Sequence, residues 1–121
     1  MSENKKLVET YLDGFRTNDH ATILSCLTDD VRWTVFGHFQ LTGKQAYDEA
    51  IDGPDYVGPP TLTVVRMVED GDTVMAELTG TAPQKNGEPV RMSMAEVFVI
   101  RDGKIAERRA WVIPLAENDH R

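Results

Sequence analysis

Glu96 is an acid in a run of residues where acids are out of place. If Val90 to Ile100 forms a strand, its side chains alternate, and Val90, Met92, Met94, Glu96, Phe98 and Ile100 share one face. That face is apolar apart from Glu96. Desolvation there favours the neutral, hydrogen-bond-donating form of the carboxyl, whereas a cation beside it favours the ionised form. Either form suits acid/base work. The plainer alternative is an ion pair or a rim position that performs no chemistry.

The residues that follow supply a cation. A three-residue loop with Gly103 in the left-handed conformation pairs Ile100 with Lys104 and sets Glu96 opposite Arg108; a two-residue Asp102-Gly103 turn sets it opposite Arg109. The three-residue register is preferred, because it gathers Val97, Val99, Ile105, Trp111 and Ile113 on the opposite, convex face. Such a patch needs a cover. A homodimer formed through it is the expectation, and the alternative is that the C-terminal tail or a loop folds over it.

Tyr11 falls on the apolar stripe of a first helix, where its hydroxyl needs a partner and can donate to a developing oxyanion. The plainer alternative is a core tyrosine bonded to a backbone carbonyl. Phe15, Trp33 and Tyr56 are core or loop aromatics, and become pocket walls if the sheet is concave. His38, just after Gly37, titrates near neutrality but stands in a loop. His20 and His120 have no acidic partner at metal-ligand spacing, and Cys26 is the single cysteine, so no metal, cofactor or disulfide is expected.

Several elements must position these groups. Leu7, Val8, Tyr11, Leu12 and Phe15 recur at helical spacing. Asn18-Asp19 caps a second helix in which Ile23, Leu24 and Leu27 form one stripe, and Asp29-Asp30 ends it. Val31, Trp33 and Val35 alternate as a short strand does. Thr42, with Gln45 three residues on, starts a third helix whose inner face is Ala46, Tyr47, Ala50 and Ile51. Residues 53–60, rich in Gly and Pro, form a loop suited to closing over a pocket mouth. Thr61 to Glu69, Asp72 to Thr81, Val90 to Ile100 and Lys104 to Ile113 then read as strands separated by turns. Helices followed by a strand meander make an α+β domain: a cone-shaped, curved antiparallel sheet, a partly open barrel, with about three N-terminal helices over its concave face. Residues 116–121 read as a frayed tail.

A chain of 121 residues fits one domain, residues 1–121, able to bury a core without staples. Its net charge of -7 argues against nucleic acid and anionic membranes. No run approaches the ~18 apolar residues of a membrane span. The N-terminus opens into an amphipathic segment, so a cytoplasmic location is expected.

The order of elements, the phrase Asp29-Asp30-Val31-Arg32-Trp33-Thr34-Val35-Phe36-Gly37 with Leu41-Thr42-Gly43, and the closing Val97-Phe98-Val99-Ile100-Arg101-Asp102-Gly103-Lys104-Ile105 resemble the nuclear-transport-factor-2-like superfamily. Within it, residues 4–114 look most like the SnoaL-like polyketide cyclase and ketosteroid-isomerase-like group. The resemblance implies a cone with a deep apolar pocket, often dimeric, for small hydrophobic molecules. By position, Tyr11 matches the isomerases' oxyanion-donating tyrosine and Glu96 the strand acid that shares its role. The isomerases' general-base aspartate falls on Val35. The Asp-Arg-Asp arrangement of limonene-epoxide-hydrolase relatives is not evident.

Together these readings point to a cofactor-independent enzyme of the isomerase, cyclase or dehydratase type, doing acid/base chemistry on a hydrophobic carbonyl compound. Glu96 is its acid/base group, tuned by Arg108, and Tyr11 polarises the carbonyl. Phe15, Trp33, Val35, His38, Tyr56, Met94, Phe98 and Val112 are the expected pocket residues. The alternative is a non-catalytic hydrophobic-ligand-binding or structural dimer of the same fold.

Overall fold

A computed structural model describes residues 2–52 and 58–115, with three helices and six strands. Tyr56, His120 and most of the proposed mouth loop and tail lie outside the described residues. Helix α1 (Glu3–Arg16) starts at Ser2, whose side chain accepts the Lys5 amide, and buries Val8, Tyr11 and Leu12. Helix α2 (His20–Ser25) is capped by Asp19 and packs so closely on α1 that a Cβ on Gly14 would lie 2.7 Å from Ile23. Only glycine permits that approach.

Strands β1 (Leu27–Val35), β2 (Phe39–Thr42), β3 (Thr61–Asp70), β4 (Thr73–Ala82), β5 (Val90–Arg101) and β6 (Lys104–Pro114) form one sheet ordered β2-β1-β6-β5-β4-β3. The sheet is curved and stays unclosed, with β2 and β3 at its edges. One pairing departs from the antiparallel expectation: β1 runs parallel to β6. The hairpin partner β2 occupies one side of β1, and the other side receives the last strand of the meander, already fixed in direction by β3 to β5. The sheet is therefore mixed.

Local boundaries also shift under tertiary pairing. Leu27 belongs to β1, not to the second helix, because it pairs with Ile105, whose amide donates to Cys26 O at 2.7 Å. Thr42 ends β2 opposite Arg32, so the cap of α3 (Lys44–Ile51) is Gly43, at φ 95°, without a side-chain cap bond. Gly43 N is held instead by Val31 O at 2.8 Å.

The β5–β6 hairpin overturns both expected registers. Asp102 and Gly103 both take positive φ, at 53° and 75°, and form the two-residue turn that pairs Arg101 with Lys104. A bulge then follows: Ile100 pairs with Ile105 but Val99 pairs with Glu107, which leaves Ala106 as the extra residue. Glu96 consequently stands opposite Ala110, and Arg108 opposite Phe98 on the same face. The bulge switches which side of β6 faces inward.

That switch also revises the convex patch. Ile105 is fully buried in the core, Val97 and Val99 are half-buried, and Trp111 and Ile113 remain exposed. In place of Ile105 the outer face carries Met75, opposite Val97, and Val68, opposite Met75. Phe36 stacks on Trp111.

Candidate active site

The inner face of β5 keeps the composition read from its sequence. Met92, Met94, Glu96, Phe98 and Ile100 are all buried, and Glu96 is 2 % exposed. A lone carboxylate could not rest there cheaply, since burying a charge costs several kcal/mol unless partners compensate it. Arg108 is the partner. Its Nε donates to Glu96 Oε1 at 2.7 Å and its Nη2 to Oε2 at 3.0 Å, a bidentate pair. Two N–H groups on two oxygens clamp the Glu96 carboxyl in place.

Arg108 is itself enclosed by aromatic rings. Its guanidinium carbon lies 4.5 Å from the Trp33 ring centre, 5.1 Å from that of Phe15 and 5.4 Å from that of Tyr11. Its Nη1 donates to Tyr11 Oη at 2.6 Å, and the Tyr11 hydroxyl bonds in turn to the hydroxyl of Tyr47. Trp33 stacks on Tyr47 with ring centres 4.5 Å apart. Burial pushes both tyrosine hydroxyls above their ordinary range, against the opposing pull of Arg108, so both stay neutral. Burial is the largest single influence on Arg108 and lowers it, but the Glu96 charge, the two tyrosines and the hydrogen bond to Glu96 together outweigh burial and raise it. The guanidinium stays charged.

Above this network lies a cavity of about 480 Å³. Its walls include Phe15, Trp33, Met94, Val112, Glu96 and Arg108, all singled out from the sequence. Other expected residues fall elsewhere. Tyr11 is fully buried behind Arg108 and does not line the cavity, while Phe98 and Val35 belong to the packed core. His38 is exposed in the turn between β1 and β2, away from the cavity. Tyr56 lies outside the described residues.

Sequence reasoning also missed residues. Tyr47 was legible as the inner face of α3, but nothing in one sequence signals that its hydroxyl meets that of Tyr11. Phe39 lines the cavity from β2, a strand too short and mixed to read as one. Leu62, Ala82 and Met92 add to the wall from β3, β4 and β5.

At the rim, His20 finds two acidic partners that its own stretch of sequence lacks. Nδ1 lies 2.6 Å from Asp48 and Nε2 3.1 Å from Asp52, and Asp52 lines the cavity. The Asp48 hydrogen bond raises His20 above its ordinary value, and Asp52 adds to that. Among the described residues, no group of three or more His, Cys, Asp or Glu could hold a metal ion. No described helix is long and apolar enough to cross a membrane.

The fold is shared with known structures. An LEH-like epoxide hydrolase of M. tuberculosis superposes with a TM-score of 0.81 at 21% identity, covering 92% of this chain and 83% of that one. TerC, co-crystallised with polyporic acid, gives 0.80 at 24%, covering 90% of each chain. An NTF2-like protein of unknown function from Burkholderia pseudomallei gives 0.81 at 18%, covering 91% and 90%. Other neighbours are ketosteroid-isomerase-like and SnoaL-like polyketide-cyclase-like chains. At these identities the likeness establishes the fold. A search of the curated proteins finds no match. The sequence profile of the SnoaL-like domain matches residues 8–108, and the chain belongs to that family.

Proposed function

We propose that this chain is a cofactor-independent small-molecule enzyme of the isomerase, cyclase or dehydratase type, acting by acid/base chemistry on a hydrophobic carbonyl compound. The observation that carries the reading is the Glu96–Arg108 pair in the wall of an otherwise largely apolar cavity. Each oxygen of Glu96 accepts one N–H and keeps lone-pair capacity for a proton. In this reading Glu96 takes a proton from the carbon beside the carbonyl. The C–H electron pair becomes a new C=C bond, and the carbonyl pair moves onto oxygen. In a substrate with a C=C bond between the β and γ carbons the anion is a dienolate; returning the proton at the γ carbon moves that double bond between the α and β carbons, restores the carbonyl and completes an isomerisation with electrons balanced within the substrate.

The bidentate clamp favours a second reading, a non-catalytic ligand-binding dimer, because both oxygens of Glu96 are already engaged by Arg108 and its side chain is only 1% exposed. The two are separated by following a bicyclic ketone, 2-tetralone, in D2O by NMR. The enzyme reading expects the wild type to speed deuterium exchange beside the carbonyl, and Glu96→Gln to remove about a hundredfold or more of that gain. Binding without accelerated exchange supports the second reading. Exchange undiminished by Glu96→Gln removes Glu96 from the chemistry.

The same proposal includes a cytoplasmic setting and a homodimer through the outer sheet face, where Met75, Val97, Val99, Trp111 and Ile113 form an apolar strip. Sedimentation equilibrium at tens of micromolar, giving the mass of two chains, is its expected outcome, and a monomer overturns it.

A further inference from the structure

We infer that Arg108, rather than Tyr11, holds the ligand's oxygen, and that the ligand is a neutral, mainly apolar molecule bearing one oxygen acceptor. The inference rests on the proposed use of the cavity, though not on catalysis. A guanidinium carries five N–H donors. Two go to Glu96 and one to Tyr11, and the Tyr47 hydroxyl also hydrogen-bonds the guanidinium, which leaves one N–H for a ligand. Arg108 lines the cavity, and Tyr11 does not. Tyr11 accepts from Arg108 and bonds to Tyr47, so its hydroxyl is engaged behind the guanidinium.

Trp33 adds an independent sign. Its indole covers the guanidinium and lines the same cavity, and its Nε1 is buried with no hydrogen-bond partner among the described residues. Buried donors are ordinarily satisfied. The spare guanidinium donor, in an apolar wall beside an indole whose own N–H is unsatisfied, defines a place for an acceptor.

Charge sets the ligand's class. Glu96 cancels Arg108, and at the rim the two aspartates Asp48 and Asp52 outnumber the one His20 they hold, so an anion meets no net attraction and a cation meets the guanidinium. A neutral carbonyl can accept from Arg108 without separating the ion pair. Glu96, Tyr11 and Tyr47 orient the guanidinium; with respect to the oxygen they are positioning residues.

The test is binding by the full chain, followed by calorimetry with three probes of matched shape: 2-tetralone, tetralin and tetralin-2-carboxylate. The wild type is expected to prefer 2-tetralone to tetralin by about tenfold or more, the scale of a hydrogen bond from a charged donor. It should also bind the carboxylate more weakly than the ketone. The double variant E96M/R108M, which strands no charge, should bind 2-tetralone and tetralin alike. Tyr11→Phe should keep more of the preference than that variant does, and Trp33→Phe should lower it.

A double variant with undiminished preference overturns the inference, as does Tyr11→Phe erasing the preference completely. Should the double variant fail to fold, Arg108→Lys and Trp33→Phe carry the test, and an unchanged preference in both overturns it. Deuterium exchange keeps the two readings apart. Preference without exchange supports Arg108's role and removes the enzyme; exchange with an Arg108-independent preference does the reverse.

Discussion

The floor and the rim of the cavity use one motif in two environments. At the floor, Arg108 is held by Glu96 and Tyr11, with side chains of Arg108 and Glu96 only 10% and 1% exposed. At the rim, His20 is held by Asp48 and Asp52, with exposures of 31% for the histidine and 46% and 65% for the acids. Burial decides what each arrangement is worth. Charges without water depend wholly on each other, so breaking the floor pair strands a charge. Water solvates the rim charges whether or not they pair.

The sharpest way to break this contrast is Arg108→Met, which leaves Glu96 alone. It should cost about 3–5 kcal/mol in urea unfolding, and E96M/R108M should recover most of the loss. An equal loss in both variants would show that packing, not charge, dominates the floor. Tyr47→Phe is a smaller probe. It deletes the Tyr47 hydroxyl's bonds to Tyr11 and Arg108 and should cost about 1–2 kcal/mol, with Arg108 still charged.

The smallest effect belongs to the rim. Both nitrogens of His20 face carboxylates, which requires the doubly protonated ring. A histidine raised in the folded state contributes stability that is complete below its unfolded value near 6.5 and is lost as pH rises through the higher folded value. His20→Gln should therefore destabilise by less than about 1 kcal/mol at pH 6 and by almost nothing at pH 9. Added salt should shrink the rim effect far more than the floor effect. A His20→Gln cost that grows with pH would contradict the clamp.

Much of the floor could be read from residue types. The alternation from Val90 to Ile100 identified Glu96 as an acid on an apolar face, and the helical stripe placed Tyr11 inside. That an arginine of the last strand answers Glu96 was also legible, since two consecutive arginines fall within reach of it. Which one, and from where, was not. The Asp102-Gly103 turn and the Ala106 bulge set the register together, and a bulge leaves no mark in the sequence of a single strand. The same bulge moved Ile105 from the outer patch into the core.

The rim was not legible at all. His20 and its two aspartates lie 28 and 32 residues apart, on α2 and at the C-terminal end of α3, which meet only through tertiary packing. Local pattern determined the α+β class, the buried face of β5 and the acid upon it, because alternation and helical spacing are short-range properties of the chain. Tertiary structure alone decided that Arg108 stands between Tyr11 and the cavity, because that depends on strand register and on how α1 lies across the sheet.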